Sequence, residues 1–196
     1  MLYLYLYPLS KYWSALNLFK YITFRTIGAV LTALVLSFVV GPWLIRTLQR
    51  LQKKGQPIRE DGPQRHILEK TGTPTMGGTL ILLALVIPTL LWADISNIYI
   101  QLVLFTTLGF GIIGFWDDMR KVVLRDPKGV SARTRISLQI MISLLVAWIL
   151  QWQSDGSLFG GLALPLIKDL DISLGWLYYP FAILVIAGCA NAVNLT

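Results

Sequence analysis

The sequence predicts an all-α membrane protein, a bundle of about five transmembrane helices. Three observations support this fold class. Hydrophobic residues make up 55% of the 196-residue chain and charged residues only 14%, whereas soluble domains carry roughly 25% charged residues. The apolar residues form runs close to the ~17–25 residues that a membrane helix needs. The basic residues are concentrated in two of the connections between these runs, a pattern typical of membrane orientation rather than of nucleic-acid binding.

Five apolar runs are the predicted membrane spans, and they extend over 22–45, 75–92, 98–116, 136–152 and 177–193. Arg25 lies close enough to the end of the first run for its side chain to reach the interface. Pro180 falls in the first turn of the last run, where a helix tolerates proline. We therefore interpret residues 1–196 as a single transmembrane domain.

The distribution of lysine and arginine predicts which connections face the cytoplasm. Two connections are rich in these residues and two are poor in them: the rich ones are 46–74 and 117–135, and the poor ones are 93–97 and 153–176. Because basic loops remain in the cytoplasm, the N-terminus is predicted to lie outside and the C-terminal end inside. Apolar residues at 162–167 and 172–177 predict a short external β-hairpin between helices 4 and 5.

Three polar clusters are predicted to share the inner side of the membrane. The first extends from Asp61 through His66 and Lys70 to the glycine-rich string 72–78, where the second span begins. A glycine-rich turn at a helix N-terminus offers backbone N–H groups and the positive end of the helix dipole, which suits a phosphate or another anion. A flexible loop before an ordinary helix start would have the same pattern. His66 is the only histidine, and we assign it no strong role.

The second cluster is the pair Asp117 and Asp118, at the inner end of the third run. Neighbouring residues on a helix point about 100° apart, so the two carboxylates cannot act as one symmetric pair and are expected to have different tasks. Lys121 follows within reach on the same helix. A solvated salt-bridge cluster and a site for Mg²⁺ and phosphate are both compatible with this pattern.

The third cluster lies at the inner end of the fifth run. Asn191 and Asn194 are three residues apart and would share one face of a helix. Their amides could bind a polar ligand, cap the helix or bridge neighbouring helices.

Together the three clusters resemble the phospho-N-acetylmuramoyl-pentapeptide-transferase family, within the polyprenyl-phosphate N-acetylhexosamine-1-phosphate transferase superfamily. The motifs that carry the resemblance are Asp61-Gly-Pro-x-x-His66-x-x-x-Lys70-x-Gly72-Thr-Pro-Thr-Met-Gly-Gly78, Gly-Phe-Trp-Asp117-Asp118-x-x-Lys121 and Asn191-Ala-Val-Asn194-Leu-Thr196. Their order is that of the family, and they extend over most of the chain. The resemblance implies transfer of phospho-N-acetylmuramoyl-pentapeptide from its UDP carrier to undecaprenyl phosphate. The products would be lipid I, for peptidoglycan synthesis, and UMP, with Mg²⁺ as cofactor.

The resemblance also implies roles for individual residues. Asp117 matches the family acid that deprotonates or orients the lipid phosphate, and Asp118 matches its neighbour beside the metal or the pyrophosphate. Both acids are therefore candidate catalytic residues and candidate metal ligands, and a scheme in which one of them is a covalent nucleophile stays open. The implied substrate-binding residues are Lys70, Thr75, Lys121, Asn191 and Asn194.

The resemblance further implies a longer protein. Members of the family have about ten spans and continue beyond the position of Thr196 with Asp-Gly-Leu-Asp-Gly, a later metal-binding acid and a histidine-containing cytoplasmic loop. We therefore expect the chain to be an N-terminal half that is inactive by itself. The implied location is the bacterial inner membrane with the active site facing the cytoplasm, and the full-length enzyme is expected to be a homodimer.

Two other functions are considered. A transferase that moves N-acetylglucosamine 1-phosphate from UDP-N-acetylglucosamine to a polyprenyl phosphate would share much of the pattern, but the string 72–78 and the ending 191–196 favour the muramoyl branch. A membrane transporter would need ionisable residues near the middle of the bilayer, and the five runs have none there. A scaffold subunit would leave the one-sided polar clusters unexplained.

Overall fold

A computed structural model of the chain describes residues 1–52, 76–123, 129–153, 160–163 and 171–195. These residues are helical apart from a few turns and one pair of short strands, which confirms the predicted all-α class. Four helical segments are long and apolar enough to cross a membrane: Ile22–Leu51, Ile98–Val123, Ala132–Gln153 and Gly175–Val193. The chain is therefore a multi-pass membrane protein.

The α-helices of the described chain are α1 (Leu2–Leu6), α2 (Ile22–Leu51), α3 (Gly78–Trp92), α4 (Ile98–Val123), α5 (Ala132–Gln153), α6 (Tyr178–Ile183) and α7 (Cys189–Leu195). Short 3-10 helices occupy Pro8–Lys11, Ser14–Lys20 and Gly175–Leu177. The π-helical turn Leu184–Gly188 joins α6 to α7, so that the predicted fifth span is one continuous helical segment with a change of pitch inside it.

The second span is shorter in the structure than we predicted. We predicted a helix over 75–92, and the structure has α3 over the 15 residues Gly78–Trp92. At 1.5 Å per residue this helix is about 22 Å long, shorter than the ~30 Å hydrocarbon core. The described part of the second span is thus an apolar helix that does not reach the length of the other four.

The predicted hairpin is present as two strands, β1 (Gly161–Ala163) and β2 (Asp171–Ser173), paired antiparallel with Leu162 opposite Ile172. The N–H of Leu174 donates to the carbonyl of Gly160 at 2.8 Å and extends the pairing by one hydrogen bond. Gly160 has φ 65°, a left-handed conformation that favours glycine. The hairpin is therefore confirmed, and its external location stays a prediction.

The chain divides into two compact units, Met1–Val130 and Ser131–Thr196. In the first unit α2 packs along α3, and α3 also contacts α4. In the second unit α5 packs against α6 and the π-helical turn. The interpretation of the chain as one transmembrane domain stays a prediction.

Trp92 joins α2 and α3 at the C-terminal end of α3. Its ring stacks on Phe19 with ring centroids 5.8 Å apart and meets Phe24 edge-on at 6.0 Å. Its Nε1–H donates to Thr32 Oγ1 at 2.9 Å, and the Thr32 hydroxyl donates to the carbonyl of Gly28 at 2.7 Å. A Cβ atom at Gly28 would lie 2.5 Å from Trp92 Cη2. Glycine at this position is therefore what allows the indole to lie against the backbone of α2.

We expect Gly28→Ala to lower the free energy of unfolding by about 1–3 kcal/mol, because the added methyl group must displace the Trp92 ring or separate the two helices. The matched control is Gly114→Ala, since a Cβ atom at Gly114 meets no atom within 4 Å. Both substitutions share the intrinsic gain in helix propensity. The difference between their unfolding temperatures in detergent therefore reports the contact of residue 28 with the Trp92 ring. Equal unfolding temperatures for the two variants would contradict the packing argument.

Candidate functional site

The twin acids lie inside a helix. The third predicted span ends at residue 116, but α4 continues to Val123 and places Asp117 and Asp118 in its last two turns. The C-terminal end of a helix disfavours a negative charge by roughly 0.3–1 kcal/mol. Arg120 and Lys121 in the last turn place positive charge beside the two acids, which offsets this effect.

Asp117 is a buried carboxylate, since the residue is only 7% exposed. Its Oδ2 accepts a hydrogen bond from Lys121 Nζ at 2.6 Å, and its Oδ1 accepts one from the backbone N–H of Val130 at 2.7 Å. Both oxygens are thus paired with donors, one from the same helix and one from the segment that follows it. This arrangement satisfies a charge whose burial would otherwise be costly.

Asp118 has a different environment. Its side chain is 31% exposed, against 10% for that of Asp117, and its Oδ1 lies 3.9 Å from Lys121 Nζ. The two acids thus differ in exposure and in their contacts, and the expectation that they have different tasks stays a prediction. Lys121 contacts both acids, at the i, i+3 and i, i+4 spacings that bring side chains together on a helix. The salt bridges expected of a solvated cluster are present, but Asp117 is buried rather than solvated. A metal or phosphate site stays a prediction.

Asp117 and Asp118 are the carboxylates of this cluster that could hold a divalent cation. Within the described ranges, no group of three or more His, Cys, Asp or Glu residues is placed to hold a metal ion. Mg²⁺, however, commonly uses one or two carboxylates together with waters and substrate phosphates. The partly exposed carboxylate of Asp118 meets that requirement more readily than Asp117, whose oxygens already accept hydrogen bonds. Asp118 therefore fits a hard divalent cation that is shared with other ligands, and Asp117 could join it only through lone pairs that its hydrogen bonds leave unused.

The glycine-rich string is described only at its end. Residues 76–78 lead directly into α3, with Gly77 as the N-terminal cap, so the predicted turn before the second span is confirmed there. Met76 has φ 74°, a conformation that costs a bulky residue roughly 1–2 kcal/mol. Lys70 and Thr75 lie outside the described residues, and their substrate-binding role stays a prediction.

Asn191 belongs to a polar pair between two helices. Its Nδ2 donates to Gln139 Oε1 at 2.6 Å and to the carbonyl of Ala187 at 2.8 Å. Ser143, fully buried, donates to the backbone carbonyl of Gln139 at 2.8 Å. Of the three alternatives left open by the sequence, the bridge between neighbouring helices is therefore present. A backbone carbonyl can only accept, so the Ala187 contact fixes the orientation of the Asn191 amide, and this in turn fixes that of Gln139.

Two features of these sites were not predicted from the sequence. Gln139 is an amide inside an apolar run, and that was the available signal for a polar contact between helices, whereas Ser143 bonds the backbone of its own helix. The hydrogen bond from the Val130 N–H to Asp117 had no comparable signal, because it joins residues 13 apart in the sequence. Asn194 lies in α7, but its side chain is outside the described residues, and the convergence of the three polar clusters stays a prediction.

Residues 100–196 match glycosyl transferase family 4, and this range includes the twin acids, Lys121 and both asparagines. The whole chain is 52% identical to a phospho-N-acetylmuramoyl-pentapeptide-transferase of Granulibacter bethesdensis, 54% of which it covers. It is 52% identical to the protein of that name from Pelobacter propionicus and 50% identical to that from Citrifermentans bemidjiense, again covering 54% of each. The chain spans about half the length of the curated relatives it matches.

Proposed function

We propose, because residues 100–196 match glycosyl transferase family 4 and the whole chain is 52% identical to a phospho-N-acetylmuramoyl-pentapeptide-transferase, that this chain forms the N-terminal half of an enzyme that transfers phospho-N-acetylmuramoyl-pentapeptide from UDP to undecaprenyl phosphate. The products are lipid I and UMP. The observation that carries the proposal is the Asp117–Lys121 pair, with Asp118 beside it, at the end of the apolar helix α4. A charged group at the end of a membrane span lies where a soluble nucleotide sugar and a lipid phosphate can meet.

The reaction assigns different tasks to the two acids. An oxygen of the lipid phosphate attacks the phosphorus that carries the sugar, the bond between this phosphorus and the oxygen of UMP breaks, and UMP leaves with the electron pair. Asp117, held by hydrogen bonds to both oxygens, orients the lipid phosphate or accepts its proton. A covalent scheme through Asp117 would use an oxygen that already accepts one hydrogen bond and attacks with its remaining lone pair.

The proposed cofactor is Mg²⁺, with Asp118 and Asp117 as its protein ligands in this half of the enzyme. When bound, it would neutralise the charge of the pyrophosphate and stabilise the departing UMP. Asp118 is the more accessible of the two acids, which favours it as the direct ligand. Lys121 supplies a positive charge for a substrate phosphate.

The remaining substrate contacts involve the other two clusters. Lys70 and Thr75, in the segment before α3, are proposed to bind the nucleotide sugar, and Asn194 to contact its nucleoside part. Both N–H groups of Asn191 are engaged with Gln139 and Ala187. A direct contact of Asn191 with substrate would therefore use its amide oxygen, which accepts hydrogen bonds only.

The proposed location is the bacterial inner membrane, with the active site facing the cytoplasm and with a homodimer as the full-length assembly. The basic segments 46–74 and 117–135 support this orientation through the positive-inside rule. Their charge would also attract the anionic nucleotide sugar and the lipid phosphate to the inner surface.

A chimera tests the proposal directly. This chain is joined to the part of the Granulibacter bethesdensis relative that its match leaves uncovered, and the product is supplied in lipid vesicles with undecaprenyl phosphate, Mg²⁺ and UDP-N-acetylmuramoyl-pentapeptide. We expect lipid I and UMP in equal amounts, with the intact relative as the positive control. UDP-N-acetylglucosamine as the second donor separates the two transferase branches. Product from that donor alone would favour the runner-up, and a folded, inserted chimera without either product would contradict the proposal.

A further inference from the structure

We propose that Gly129 is a positioning residue for Asp117. In this proposal the backbone conformation of Gly129 directs the N–H of Val130 toward the Asp117 carboxylate. The catalytic consequence rests on the proposed function, but the contact between the two residues does not.

The first observation is the backbone conformation of Gly129. Its φ is 61°, in the left-handed region, which glycine adopts freely and other L-residues rarely adopt. Val130 follows immediately and is 5% exposed. The left-handed turn therefore directs the next N–H inward, where it donates to Asp117 Oδ1 at 2.7 Å.

The second observation is independent of the first and concerns space. A Cβ atom built on Gly129 would overlap Asp117 Oδ1, and it would lie 3.2 Å from Asp117 Cγ and 2.8 Å from Lys121 Cε. The lysine contact involves the far end of a flexible side chain, which can move. The carboxylate is held on its other oxygen by Lys121 and has less freedom to move. A side chain at position 129 therefore acts first on Asp117.

These two observations make the Asp117 carboxylate a group that is fixed from two directions. Lys121 Nζ pairs with Oδ2 from within α4, and the Gly129–Val130 segment reaches Oδ1 from outside the helix. Rotation of the carboxylate about its bond to Cβ would break both contacts. Because a misplacement of about 1 Å can lower a reaction rate about 10²-fold, the orientation fixed by Gly129 matters for an acid that acts on a substrate.

The activity expected of Gly129→Ala in the chimera is a decrease in kcat of about 10- to 100-fold, with the KM for the nucleotide sugar changed less than threefold. A variant that only folded less well would give less active enzyme. Its kcat per folded molecule would then equal that of the parent. Gly175→Ala, at another left-handed glycine (φ 51°) whose Cβ would meet no atom within 4 Å, is the matched control and keeps the parent kcat. An equal change of kcat in both variants would overturn the positioning role.

Thermal unfolding of the chain itself tests the contact without any reaction. Gly129→Asn is used here, because asparagine tolerates the left-handed conformation better than other residues and leaves the steric contact as the main defect. We expect it to lower Tm by about 2–4 °C. In an Asp117→Ser background, where the side chain is shorter, the decrease is expected to shrink by half or more. In an Asp117→Asn background, where the size is kept, it is expected to persist.

The outcomes separate the two proposals. An equal decrease in Tm in all three backgrounds would overturn the contact between positions 129 and 117, whatever the chimera does. A decrease that follows the size of residue 117, together with a chimera that forms no product, would support the contact and contradict the proposed reaction.

Discussion

Replacing Asp117 with asparagine is expected to lower the turnover of the chimera by about 10²–10⁴-fold, with little change in the affinity for the nucleotide sugar. Asparagine keeps the size of the side chain but presents only one oxygen. Its NH₂ group must therefore face either Lys121 Nζ or the N–H of Val130, both of which are donors. The variant loses the proton-accepting oxygen and one of the two contacts that orient it.

Steady-state kinetics in vesicles, normalised to inserted protein, measures this effect. The matched control is Asp94→Asn, at the other end of the first unit. Asp94 Oδ1 accepts from the N–H of Ser96 at 3.1 Å, which an asparagine oxygen can also do, so turnover should stay at the parent value. Parent-level turnover in Asp117→Asn would remove this acid from the mechanism.

Replacing Asn191 with aspartate is expected to lower the free energy of unfolding by about 2–3 kcal/mol, although the two side chains have nearly the same shape. The exchange turns Nδ2 into an oxygen that faces Gln139 Oε1 and the Ala187 carbonyl, so that two hydrogen bonds become contacts between acceptors. A new charge would also lie in an apolar helical segment. Both effects destabilise the packing of the last helical segment on α5.

Two further substitutions make this test specific. Asn97→Asp is the matched control, because Asn97 Oδ1 accepts from the N–H of Tyr99 at the start of α4, and aspartate serves equally well there. Gln139→Glu keeps the oxygen that accepts from Asn191, so it should destabilise less than Asn191→Asp. Unfolding in detergent measures all three, and a larger effect of Gln139→Glu would mean that the donor and acceptor are assigned the wrong way round.

The sequence predicted the fold class and the approximate position of each span, because these depend on the amount and spacing of apolar residues. The ends of the helices were less accurate. Hydropathy placed the end of the third span at residue 116, whereas α4 reaches Val123, since charged side chains that pair along a helix extend it beyond the apolar part. The second span was predicted from residue 75, and α3 begins at Gly78, after the left-handed residue Met76.

The candidate site was predictable where it depends on neighbours in sequence. Helix geometry alone indicated that Asp117 and Asp118 would differ and that Lys121 could reach both. The partners that come from elsewhere in the chain were not predictable in this way. Val130 reaches Asp117 only because of the backbone conformation at Gly129, and the pairing of Asn191 with Gln139 depends on how two helices are placed side by side.

The π-helical turn Leu184–Gly188 determines which residues of the last helical segment face α5. A π-helical turn holds one residue more than the α-helix it interrupts, and each residue of a helix advances the direction of the side chain by about 100°. The turn thus accommodates one additional residue, and the side chains after it keep nearly the directions they would have in a regular α-helix that is one residue shorter. Deleting one residue within 184–188 is therefore expected to leave Asn191 directed at Gln139, whereas a deletion in the regular part of α6 would rotate Asn191 by about 100°.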